Sequence, residues 1–107
     1  MLKLKPNPTF WHTVRITVPE SDKPLPVDFE FKHKTKEQLE EFVSRFKDGR
    51  SDNVILEEVI NGWKGIDEDY SASALRDLCS NYPPSGLEIL NGYLAALTES
   101  RAKNFSR

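Results

Sequence analysis

Residues 9–18, TFWHTVRITV, alternate with a period of two, and this constrains the chain more than any other feature. Phe10, His12, Val14, Ile16 and Val18 fall on one side; Trp11, Thr13, Arg15 and Thr17 fall on the other. β-Branched and aromatic residues at this spacing specify a strand. Residues 27–34, VDFEFKHK, alternate again, with Val27, Phe29, Phe31 and His33 opposite Asp28, Glu30, Lys32 and Lys34. The proline-bounded segment PESDKPLP between them is too long for a two-residue turn and suits a wider antiparallel connection. A two-stranded hairpin is marginal in water, so its apolar face must be covered by the rest of the chain. The outer face allows Arg15 to pair with Asp28 or Glu30.

The remainder reads as four helices. Thr35 and Gln38 have capping-box spacing, Leu39, Phe42, Val43 and Phe46 follow at helical intervals, and Gly49 ends the run. Ser51 or Asp52 opens a second helix carrying Val54, Ile55, Val59 and Ile60. Ser71 opens a third, with Leu75, Leu78, Cys79 and Tyr82 on one face, and the pair Pro83-Pro84 stops it. Ser85 and Glu88 form a second capping-box pattern ahead of Leu87, Leu90, Leu94 and Leu97. Strands followed by helices imply an α+β fold: an N-terminal antiparallel β-hairpin against about four C-terminal α-helices. The 107 residues suffice for one domain, 1–107, with 1–8 and 100–107 expected to be flexible ends.

The chemistry-bearing residues do not assemble into a known site motif. An EF-hand loop starting at Asp67 would place Ala72 and Leu78 where glycine and a bidentate carboxylate belong, so Asp67, Glu68 and Asp69 read as acids preceding a helix. His12, His33 and Cys79 lack zinc spacing, although the two histidines fall on the apolar strand faces and would be neighbours across the hairpin. Cys79 reads as a small core residue. There is no Walker A, nucleophile-elbow or dinucleotide fingerprint. We therefore expect no enzyme activity, no metal and no cofactor. A net charge of −2, from 15 basic and 17 acidic residues, supplies no field for nucleic acid. No apolar run is long enough for a membrane span or signal peptide, and the single cysteine fits a cytosol-like compartment.

Residues 60–71, INGWKGIDEDYS, pose a separate question: why a tryptophan stands between two glycines beside a run of acids. Gly62 stands where a left-handed helix cap is expected, and Trp63 would then turn back beside Val59 and against another helix. Gly65 permits a second tight turn. Tyr70, just before the Ser71 cap, has staple spacing to Leu75. This reading makes the stretch a structured helix-to-helix connection.

LKLKPNPTFWHTVRITVP, then FEFKHKTKEQLEEF, then INGWKGIDEDYSASALRDLCSNYP resemble, in that order, the small tail assembly chaperones of long-tailed bacteriophages and prophages. The resemblance runs over nearly the whole chain. Its most specific part is Gly62, Trp63, Gly65, Ile66 and Asp67, which transfer as a structural motif; no catalytic residue transfers. The resemblance implies a non-enzymatic protein of the bacterial host cytoplasm. Such a protein binds the long apolar tape measure protein, keeps it soluble during tail assembly, and leaves before the tail is complete. Many such families also make a longer product by ribosomal frameshifting, of which this chain would be the short form. A structural tail or head-tail subunit retained in the virion, or a small protein-binding adaptor, fits the same composition.

On the last helix, Leu87, Leu90, Leu94 and Leu97 form one stripe and Ile89, Tyr93 and Ala96 a second beside it. Together they exceed the arc that packing on one core requires. The second stripe is a candidate partner or oligomer surface; a helix buried on both sides accounts for it equally well. The open edges of the hairpin add a second route to self-association.

Overall fold

The computed structural model describes residues 1–47 and 52–99. The fold is α+β, in the order β1 (Thr9–Ile16), β2 (Leu25–Lys32), α1 (Lys36–Lys47), α2 (Asp52–Leu56), β3 (Ile60–Lys64), α3 (Ala72–Asn81) and α4 (Ser85–Thr98). The expected ends at Gly49, Ser51 and 100–107 lie outside the described residues.

The hairpin forms as its alternation demands. Val14 pairs with Val27, His12 with Phe29, and Phe10 with Phe31. The inward set includes Val14, Ile16, Val27, Phe29 and Phe31, all buried, while Trp11, Thr13 and Arg15 are exposed. His33 lies beyond this register, so the two histidines are not cross-strand neighbours. Arg15 stands opposite Pro26, and the carboxylates meet other donors: Thr13 donates to Asp28, and Thr9 and Asn61 to Glu30.

The sheet has three strands rather than two, with β2 in the middle and β3 antiparallel to it. The expected second helix stops at Leu56; after a short turn the chain becomes a strand. Phe31 pairs with Ile60 and Glu30 with Gly62, so Asn61 is an extra residue in a bulge. The bulge lets Ile60 and Trp63, three apart, both face the core. Asn61 uses its position to donate to the Glu30 carboxylate at 3.0 Å.

The helices cover one face of this sheet. α1 starts with the expected capping box: the Thr35 amide donates to Gln38 Oε1 at 2.8 Å and the Gln38 amide to Thr35 Oγ1 at 3.3 Å. Ser71 caps α3, accepting from the Ala74 amide at 3.0 Å. The second capping box does not form. Pro84 is the N-cap of α4, Ser85 is buried and donates to the Leu78 carbonyl, and Glu88 reaches the residue that follows β1, accepting from the Thr17 amide and hydroxyl. The core joins Phe29, Phe31, Phe42, Ile55, Leu56, Leu75, Ile89 and Tyr93, all fully buried.

α4 approaches β1 closely. A Cβ on Gly92 would lie 2.8 Å from Val14 Cγ2, so the helix seats only because that position has no side chain. This approach carries Tyr93 into the core, with its ring 4.9 Å from Phe31 and 5.7 Å from Phe42. Its hydroxyl donates to the Lys32 carbonyl at 2.8 Å.

Candidate protein-binding site

The motif 62–67 builds a folded strand-to-helix corner. Gly62 lies in β3 with φ outside the left-handed region, so it is not the helix cap expected of it. Trp63 is buried from the strand, edge-on to Phe29 and Tyr70 at 6.1 and 5.1 Å, not folded over a helix end. Its indole N–H donates to the Glu68 carbonyl at 2.7 Å, tying the acidic loop back onto the sheet. Gly65 has φ +98°, and a Cβ there would meet the Pro26 carbonyl at 3.3 Å. Glycine is therefore favoured by torsion, and a Cβ would also crowd the Pro26 carbonyl. Tyr70 is half-buried against Trp63; burial, followed by the nearby Glu57 charge, raises its hydroxyl pKa above the ordinary value.

Beside this corner lies an apolar cavity of about 300 Å³. Ile16, Val18, Leu25, Ile66 and Tyr82 are among its lining residues, and Asp67 is the one carboxylate in the lining. Asp67, Glu68 and Asp69 are all exposed. No group of three His, Cys, Asp or Glu residues among the described residues could hold a metal ion.

The candidate stripe on α4 divides differently from its expectation. Ile89 and Tyr93 are completely buried in the chain's own core, Tyr93 against Phe31 of β2 and Phe42 of α1, so neither is accessible here as a docking surface. Leu87, assigned to the core stripe, is 58% exposed. Ala96 is exposed and borders a groove with Phe10 and His33. A second groove, of about 450 Å³, runs between α1 and α4 and is lined by Leu39, Val43 and Leu94. The signal that separates the faces is Gly92, where α4 comes closest to Val14 of β1.

The outer sheet face carries a further feature that strand alternation placed but did not rank. Trp11 is 48% exposed, and Lys64 Nζ sits 4.5 Å above its ring from the far strand. Between them, hydrogen bonds from Asn61 and then Thr9, with the Lys64 charge, hold the Glu30 pKa below its ordinary value. Among the described residues, no helix is long and apolar enough to cross a membrane.

No curated protein and no solved structure matches the chain. A family model described as phage tail assembly chaperone matches residues 1–104. With that match spanning nearly all of its 107 residues, the chain belongs to the phage tail assembly chaperone family.

Proposed function

We propose that the chain is a non-catalytic chaperone that binds the tape measure protein in the host cytoplasm and keeps it soluble while the tail is built. The observation that carries this reading is the family match over residues 1–104. The half-buried groove of Leu39, Val43 and Leu94 and the exposed Trp11 support it, because an apolar client needs apolar surface to dock on. A frameshift-extended form of the same chain is a second partner under this reading. The test is co-expression with the tape measure protein of the same phage, with and without this chain. The expected result is a larger soluble fraction of tape measure protein that co-purifies with the chain. An equally insoluble tape measure protein in both cases would overturn the proposal.

A further inference from the structure

The cavity beside Gly65–Asp67 is matched in chemistry by another part of the same chain. Residues 1–5, MLKLK, hold Leu2 and Leu4 at 90% and 96% exposure, separated and followed by Lys3 and Lys5. Lys3 donates to Asn7 at 2.8 Å within the segment. No acid occurs in residues 1–8, so the arm is apolar and basic. The cavity is lined mainly by aliphatic and aromatic side chains with Asp67 among them, and the exposed Glu68 and Asp69 follow Asp67 in the chain. Its volume of about 300 Å³ suits one or two side chains rather than a whole helix.

The arm cannot bring both leucines to the cavity of its own chain. It enters the sheet at Thr9, whereas the cavity opens by Ile16 at the opposite end of β1. Those two residues are about 23 Å apart along a strand rising ~3.3 Å per residue. Fully extended, the chain from Leu4 to Thr9 spans at most about 18 Å. Leu2 and Leu4 can therefore enter the cavity together only from another molecule.

We infer that residues 1–5 of a second copy dock in this cavity, with Leu2 and Leu4 in the apolar well and the lysines against Asp67–Asp69. Arm and cavity are different surfaces of one chain, so the contact is head-to-tail and propagates to rings or chains unless two arms are exchanged reciprocally. The inference is independent of client binding. Opposite charges at an exposed border also make the association weaken with salt.

The experiment is light scattering coupled to size exclusion on the full chain, from micromolar to millimolar concentration. The wild type should gain mass with concentration. Leu2→Ser with Leu4→Ser should weaken association by about tenfold or more per leucine. Both leucines lie outside the core, so circular dichroism should be unchanged. Leu25→Lys, at the 49% exposed rim, and Asp67→Lys should weaken it as well. Mixing the arm variant with the Leu25→Lys variant should restore a dimer, because one supplies the cavity and the other the arm. A wild type that stays monomeric overturns the inference, as does an arm variant with wild-type mass. If Leu25→Lys blocks association and the arm variant does not, another segment occupies the cavity and the inference fails.

Discussion

Replacing Tyr93 tests the assignment of α4 most directly, because that residue separates a core face from a docking face. Tyr93→Phe keeps the ring among Phe10, Phe31 and Phe42 and removes only the hydroxyl that donates to the Lys32 carbonyl at 2.8 Å. Loss of such a bond in a buried setting costs about 1–2 kcal/mol, including the carbonyl left without its donor. For a domain of this size that lowers Tm by roughly 5–10 °C. Tyr93→Ala removes the ring as well and costs about 3–5 kcal/mol. Tyr93→Glu adds an unpaired carboxylate to the same site, and with total stabilities of only ~5–15 kcal/mol it should abolish the cooperative transition. Thermal and urea melts followed by circular dichroism measure all three. The reasoning is refuted if Tyr93→Glu melts like wild type while self-association or client binding is lost. In that case the residue would serve an interface. Refutation would also follow from Tyr93→Phe and Tyr93→Ala having equal midpoints.

Three further outcomes rest on other parts of the fold. Gly65→Ala should cost about 1 kcal/mol or more through its positive φ, whereas Gly62→Ala should stay within about 0.5 kcal/mol, since its Cβ meets Glu30 Oε1 at an ordinary 3.6 Å; equal urea midpoints would contradict this. Gly92→Ala should destabilise by about 1–3 kcal/mol despite better helix propensity, because its Cβ would strike Val14, and Val14→Ala in the same chain should recover part of the loss; a double-mutant cycle with no coupling would show that the approach is not tight. Burial raises the Tyr93 pKa, so its contribution is complete below the ordinary value of 10.0 and is lost as pH rises above it. Tyr70 shifts in the same direction, so Tyr93→Phe should reduce, without removing, the alkaline fall in stability.

The parts of the fold legible in the sequence are those where one local rule acts alone. β1 and β2 alternate cleanly because one face is core and the other solvent, and the Thr35 and Ser71 caps need only their own first turns. β3 was hidden because its bulge puts Ile60 and Trp63 inward at a spacing of three, which mimics a helix. Gly62 and Asn61 strengthened that impression, being common at helix ends. In α4 both stripes are apolar enough to be core, and hydrophobicity could not rank them. What decides is the approach distance at Gly92, a property of Val14 on a strand far away in sequence. Ser85 and Glu88 had capping-box spacing but found longer-range partners at Leu78 and Thr17. Of the motif, Gly65 takes a positive φ in the bend after β3; the cavity it borders combines residues of β1, β2 and α3 with the adjoining loops, and no local pattern announces it.

The close seating of α4 on β1 also sets an order of events during synthesis. β1 emerges from the ribosome first, yet the helix that seals it is the last described element, and Glu88 lies 71 residues beyond its partner Thr17. Until residues 85–98 arrive, Phe10, Phe31 and Phe42 have no Tyr93 ring against them, and the nascent chain carries an open aromatic floor. At ~5–20 residues per second, translation of the intervening segment takes several seconds. Through that interval the growing chain has the same need for cover that an apolar client would bring to it.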